Sequence, residues 1–171
     1  MAINAFYNEI LTDHNLHRMQ VMILTDHNLH PMHKYNLKDP NLILEGLNPS
    51  CGDDIVLQLK MDDEGVIVDG SYNGDGCAVS MASADMMLDL VIGKHKDEAK
   101  RLADIFVRMI KKEATEEEIE ELEEAGSLRD ISHMPSRVKC AVLGWHTMEE
   151  LVDKEPIQNP GEHSGEAVST E

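Results

Sequence analysis

The stretch that decides the fold is an alternation of apolar and polar residues, followed by a turn and a second apolar run. It spans residues 55–68 and reads IVLQLKMDDEGVIV. Apolar side chains at every second position are typical of a strand with one face in a core. The acidic residues ending in Gly65 are typical of a hairpin turn. The stretch therefore predicts two antiparallel strands, at residues 55–61 and 66–68.

The segments around this hairpin complete an α+β fold. A weaker alternation at residues 43–47 predicts a third strand, and apolar residues at helical spacing predict several helices. These lie at residues 78–92, 97–112 and 115–124, and from Pro135 onward. We expect a small three-stranded antiparallel sheet packed on one face by several helices. Residues 1–152 would form a single domain, and residues 153–171, rich in Pro and Gly, a disordered tail.

The octapeptide ILTDHNLH occurs twice, at residues 10–17 and 23–30. An offset of 13 residues turns the second copy by roughly 220° around a continuous helix, so the copies cannot present the same residues to one surface. Residues 1–35 are therefore interpreted as a helical segment with a local duplication, ended or kinked by Pro31. We interpret its histidines as part of a polar helix face rather than as a second metal site.

Composition excludes several classes of protein. The chain has 171 residues with 15 Lys and Arg against 33 Asp and Glu, a net charge of −18, which argues against nucleic-acid binding. No apolar run is long enough to predict a membrane span. Three cysteines do not make a disulfide scaffold, and the first residues lack the pattern of a signal peptide. We therefore expect a cytoplasmic, thiol-containing protein.

The three cysteines occur where thiols can react or bind a metal. Cys51 lies in a turn-rich loop two residues before Asp53, and Cys77 begins a helix. Cys140 is predicted on the last helix, roughly 130° from the centre of its apolar stripe. Three thiolates and one carboxylate would complete a tetrahedral zinc site. From spacing alone, three unrelated packed thiols remain an alternative.

Three motifs carry a family resemblance: NPSCGD at 48–53, GDGCAVSMAS at 74–83 and PSRVKCAVLGW at 135–145. With these, the sequence resembles the U-type iron–sulfur assembly family (IscU and NifU N-terminal-like proteins) over residues 25–151. The resemblance implies a single U-type domain at 1–152.

Two features favour the SufU branch over the IscU branch. The segment between Cys77 and Cys140 is long, and its extra length falls at the acidic residues 113–124, where SufU proteins carry an insertion. IscU proteins usually have a histidine directly before the third cysteine, whereas Lys139 stands here. The resemblance implies that zinc is held by four residues. They are Cys51, Asp53, Cys77 and Cys140.

The SufU resemblance implies sulfur transfer. A cysteine desulfurase of the SufS type would hold sulfur as a persulfide, a side chain of that partner would replace Cys51 on zinc, and Cys51 would attack the outer sulfur. The sulfur would then pass to the downstream Suf cluster-assembly complex. Such a protein is a partner of the desulfurase rather than a stand-alone enzyme. Arg137 matches the family's arginine and would orient Asp53 or the persulfide; a solvated arginine is the alternative.

Two other functions stay open at this point. The same ligands could assemble a [2Fe–2S] cluster, so that the protein would be a scaffold holding iron. A structural zinc module without a transfer role is the third possibility. A zinc hydrolase is disfavoured, because four protein ligands leave no position for a water molecule.

Overall fold

The computed structural model describes residues 18–158 and 167–169. The first copy of the octapeptide, residues 10–17, lies outside this part of the chain. The elements in chain order are α1 (Arg18–Leu29), β1 (Leu42–Asn48), β2 (Asp53–Met61), β3 (Ile67–Asp75), α2 (Ala78–Val91), α3 (Lys96–Ile110), α4 (Glu116–Glu121), a 3-10 helix (Glu123–His133), α5 (Pro135–Leu151) and β4 (Ala167–Ser169). None of the described helices is long and apolar enough to cross a membrane.

The sheet has four strands in the order β3-β2-β1-β4. Strands β1, β2 and β3 are antiparallel neighbours, whereas β4 pairs with β1 in parallel. The α+β class is confirmed, but the expected three-stranded antiparallel sheet is wrong: the sheet is mixed and has a fourth strand. That strand covers the open edge of β1, where unpaired backbone groups need partners.

Strand β4 lies in the tail for which we predicted disorder, so that prediction does not hold for Ala167–Ser169. Val168 of this strand packs against the core. Three residues are too few to produce a recognisable alternation, because the strand forms through tertiary pairing rather than its own pattern. The extent of the domain at residues 1–152 stays a prediction.

The predicted alternation in β1 and β2 is visible as alternating burial. Inward side chains such as Leu44, Leu57 and Leu59 are almost fully buried. Helix α2 is buried on nearly every side, which is typical of the central helix in a core. Burying these side chains is the main source of stability for the fold.

Helix α5 is fixed tightly against the sheet and α2. The ring of Trp145 stacks on Phe106 with centroids 4.3 Å apart, and its Nε1 donates to Ser83 Oγ at 3.0 Å. At Gly46 of β1, an added Cβ would lie 2.2 Å from Thr147 Oγ1. Only glycine therefore lets α5 approach β1 so closely. This packing sets the position of Cys140.

The acidic segment begins as a capped α-helix and continues as a 3-10 helix. Thr115 and Glu118 form the predicted capping box at the start of α4. We predicted a helix as far as Glu124, but α4 ends at Glu121 and a 3-10 helix follows. Glu123 has a φ of 52°, in the left-handed region that an α-helix cannot continue through.

Candidate metal centre

Three parts of the chain converge at one end of the sheet. The register pairs Asn48 of β1 with Asp53 of β2, so the loop between them, which carries Cys51, lies at this end. Strand β3 finishes beside the start of β2, and Cys77 follows as the N-cap of α2. Helix α5 brings Cys140 to the same place.

The structure brings the four predicted ligand residues together. One donor atom each from Cys51, Asp53 and Cys140 lie within 4.8 Å of one another. Cys77 is not in this group of three, but its thiol is near enough to the Cys140 thiol for the two to shift each other's pKa. The Cys77 backbone N–H donates to Asp53 Oδ1 at 2.7 Å. That these residues hold a metal stays a prediction.

The Asp53 carboxylate is buried and oriented by its neighbours. Its Oδ1 accepts from Ser80 Oγ at 3.1 Å, in addition to the Cys77 N–H, and its Oδ2 accepts from Asn48 Nδ2 at 3.0 Å. Asn48 Nδ2 also lies 3.4 Å from Cys140 Sγ. Outer partners of this kind hold metal ligands in one orientation. A Cβ at Gly76 would lie 2.8 Å from Asp53 Oδ1, so the close approach needs glycine.

Sequence reasoning did not assign roles to Asn48 and Ser80. Both lie within the quoted motifs at 48–53 and 74–83, which is the signal that could have found them. Their roles depend on tertiary geometry: Asn48 faces Asp53 across the β1–β2 pair, and Ser80 lies in the first turn of α2. The Asn48 Oδ1 atom is buried and has no hydrogen-bond partner within residues 18–158 and 167–169.

The hydrogen bond between Cys77 and Cys140 shifts both of their pKa values. Donation from the Cys140 thiol lowers the pKa of Cys77 from 9.0 to about 6, although burial and the Asp53 charge oppose this. The same bond, together with burial, raises the pKa of the Cys140 thiol. A cation bound here would favour the deprotonated form of both thiols.

The three cysteines differ in their access to solvent. Cys51 is exposed, whereas Cys77 and Cys140 are buried. Gly52 beside Cys51 has a φ of 71° and open space around it. The prediction that Cys140 lies off the core is wrong, because α5 packs against both β1 and α2 and buries that face as well. Cys51 is therefore the thiol within reach of another protein.

Arg137 lies in the first turn of α5, one turn before Cys140, and is half-buried. This position is consistent with the expected role near the cysteines, but that role stays a prediction. Lys139, which stands in place of the histidine usual in the IscU branch, is exposed.

The family model described as the NifU-like N-terminal domain matches residues 19–154. The chain belongs to this family. A Streptococcus pyogenes member named iron–sulfur cluster assembly scaffold protein IscU is 42% identical over 107 residues, which make up 63% of this chain and 66% of that protein. The match therefore spans slightly less than two thirds of that relative.

One relative carries a different functional name. A Bacillus subtilis protein named zinc-dependent sulfurtransferase SufU is 36% identical over 115 residues, 67% of this chain and 77% of that protein. The crystal structure of FiSufU, described as an iron–sulfur cluster assembly scaffold protein for the SUF system of Fervidobacterium islandicum, has a TM-score of 0.72 and 30% identity. The similarity covers 77% of this chain and 94% of the FiSufU chain. Membership of the NifU-like family is therefore compatible with both a sulfur-transfer function and a scaffold function. The geometry of the site has to distinguish the two.

Proposed function

We propose that this NifU-like protein is a zinc-dependent sulfur acceptor in iron–sulfur cluster assembly, and that Cys51 takes sulfur from the persulfide of a cysteine desulfurase. The observation that carries the proposal is the contrast among the cysteines. One exposed thiol lies in a loop, beside two buried thiols and a buried carboxylate. Cys77 and Cys140 are held on helices, whereas Cys51 can reach a partner.

The residues at the site fit zinc. Cys51, Cys77, Cys140 and Asp53 supply three sulfurs and one carboxylate, donor types that zinc accepts in four-coordinate sites. When bound, zinc would keep its coordinating thiols deprotonated at neutral pH. Asn48 and Ser80 support the set, because their hydrogen bonds leave Asp53 one orientation.

The transfer step needs only thiol chemistry. The Cys51 thiolate attacks the outer sulfur of the desulfurase persulfide, a new S–S bond forms on Cys51, and the desulfurase cysteine leaves as a thiolate. No oxidant or reductant is consumed, because one persulfide replaces another. Arg137 would orient the incoming persulfide anion or Asp53 through charge-assisted hydrogen bonds. The downstream Suf cluster-assembly complex would receive the sulfur.

A [2Fe–2S] scaffold is the second candidate. The scaffold names of the Streptococcus and Fervidobacterium relatives favour it, and cysteine thiolates are the usual ligands of such clusters. Metal analysis and a visible spectrum of protein purified without oxygen separate the two functions. Stoichiometric zinc without colour supports the transfer function. A brown chromophore with iron and sulfide would instead make the protein a scaffold.

Substitution of Cys51 tests the transfer step. After incubation with the desulfurase of the same organism and cysteine, peptide mass spectrometry should find one extra sulfur on Cys51 of the wild-type protein. Cys51→Ala should carry none, whereas the neighbouring control Ser50→Ala should accept sulfur as the wild type does. Persulfide on Cys77 or Cys140 of the Cys51→Ala variant would contradict the assignment of Cys51.

A further inference from the structure

The second copy of the octapeptide, residues 23–30, is held in a specific site by α2 and the 3-10 helix. The His27 side chain is 4% exposed, its Nδ1 lies 2.6 Å from Asp85 Oδ2, and its Nε2 contacts a Glu124 carboxylate oxygen. Asp85 lies on α2 and Glu124 on the 3-10 helix. A single imidazole therefore connects three elements.

Two further side chains of this copy are held in the same place. Leu24 is 2% exposed and belongs to the core, and Asn28 Nδ2 donates to the backbone oxygen of Ala78 at 3.2 Å. We refer to the surface that receives Leu24, His27 and Asn28 as the docking slot. Its polar partners are the Ala78 oxygen and the two carboxylates described above.

The first copy carries every side chain that the docking slot recognises. Its Leu11, His14 and Asn15 correspond one for one to the docked residues of the second copy. We propose that residues 10–17 compete with residues 23–30 for the docking slot, so that the N-terminal segment has two registers that differ by 13 residues. A slot that recognises only these side chains cannot distinguish one copy from the other.

Helix geometry makes the two registers mutually exclusive. With the second copy docked, a continuous helix would turn the first copy away from the slot by roughly 220°. The slot itself contains one Asp85 and one Glu124. Only one copy can therefore occupy the slot at a time.

Two differences favour the second copy as the main occupant. When the first copy is docked, residues 18–30 must form a loop between the slot and Pro31, and closing that loop costs entropy. Val21, which packs against the core beside the second copy, corresponds to the polar Asn8 in the first. The first copy is thus a minor occupant that replaces the second when the second is weakened.

Four proteins test the competition: the wild type, a first-copy variant (Leu11→Ala with His14→Ala), a second-copy variant (Leu24→Ala with His27→Ala), and the combination of all four changes. The measurements are urea unfolding and amide hydrogen exchange by mass spectrometry. The second-copy variant should lose protection at residues 23–30 and gain about tenfold or more at residues 10–17. The first-copy changes should leave the urea midpoint of the wild type unchanged. In the second-copy variant, where the first copy would occupy the slot, they should lower it.

Asp13→Ala is the matched control, because its counterpart Asp26 is exposed in the docked copy. This substitution should change neither the urea midpoint nor the hydrogen exchange, whether it is made in the wild type or in the second-copy variant. The proposal would be overturned if the first-copy changes also left the urea midpoint of both the wild type and the second-copy variant unchanged, and residues 10–17 gained no protection from exchange.

A deletion of residues 18–30 keeps the proposal testable if the second-copy variant fails to fold. This deletion joins His17 to Pro31 and places the first copy in the register of the second. The shortened protein should unfold cooperatively and protect its remaining octapeptide. Loss of cooperative unfolding, or an unprotected octapeptide, would mean that the slot does not accept the first copy.

Discussion

Two polar clusters lie along helix α2, one at its start and one at its middle, and they are built differently. The cluster around Asp53 gathers three thiols and reaches solvent through Cys51. In the cluster around His27, each ring nitrogen contacts a carboxylate, and Asp85 also accepts from the His33 backbone N–H at 2.8 Å. In this His27 cluster, which we call the closed cluster, both ring nitrogens and both Asp85 oxygens have partners among the described residues. The open one offers donor atoms to a ligand.

The difference between the clusters predicts which substitutions affect metal binding and which affect stability. Asp53→Ala should lower zinc affinity more than about 100-fold, beyond the loss typical of an outer partner, because it removes a predicted ligand. Competition with a chromogenic chelator measures this. Asp54→Ala, one residue along β2, is the control and should bind zinc as the wild type does. An unchanged affinity for Asp53→Ala would remove the carboxylate from the metal site.

Asp85→Asn should instead lower the free energy of unfolding, by about 3 kcal/mol, because it leaves a buried imidazolium without its main partner. Both registers of the N-terminal segment need Asp85, so the repeat cannot compensate. Urea unfolding measures the loss. Asp89→Asn, on the same helix but half-exposed and 3.4 Å from His33 Nε2, is the matched control. Equal effects of the two substitutions would contradict the special role of the closed cluster.

The pH dependence of stability sharpens the same contrast. The hydrogen bond to Asp85, with a further one to Glu124, raises the pKa of His27 from 6.5 to about 9 against the opposing effect of burial. A raised pKa contributes stability that is complete below about pH 6.5 and is lost as the pH rises through about 9. The difference in unfolding free energy between wild type and Asp85→Asn should therefore shrink over that window. If the difference in unfolding free energy grew with pH, it would contradict the raised pKa of His27.

The smallest expected effect is on an outer partner of the open cluster. Ser80→Ala removes one hydrogen bond to Asp53 Oδ1 and should lower zinc affinity about tenfold, with little change in the unfolding midpoint. Ser71→Ala in β3, which is also buried, serves as the control. A lower unfolding midpoint with unchanged zinc affinity would instead show that Ser80 stabilises the fold and does not support the metal site.

Much of the fold was predictable from local pattern. The strand at residues 55–61 and the capping box at Thr115 depend on residues that are close in sequence. A short window of the sequence is therefore enough to predict them. Strand β4 was not predictable, because it exists through pairing with the edge of β1. The end of α4 was misplaced because nothing in its sequence indicates the left-handed Glu123.

The candidate site was predictable to the level of its motifs. The three cysteines and Asp53 were found from spacing and resemblance, whereas the support from Asn48 and Ser80 requires strand register. The burial of Cys140 was missed because a single apolar stripe was assumed for α5. His27 was interpreted as part of a polar helix face, and the structure buries it, because its partners Asp85 and Glu124 are far away in sequence.

The most direct test of the account is the transfer of sulfur to Cys51 with and without zinc. Zinc-loaded and zinc-free forms of the full chain would be mixed with the cysteine desulfurase and cysteine, and persulfide on Cys51 followed over time by mass spectrometry. The account predicts rapid accumulation in the zinc-loaded protein and little in the zinc-free one, restored when zinc is added back. Equal accumulation in both forms, or none in the zinc-loaded protein, would contradict it.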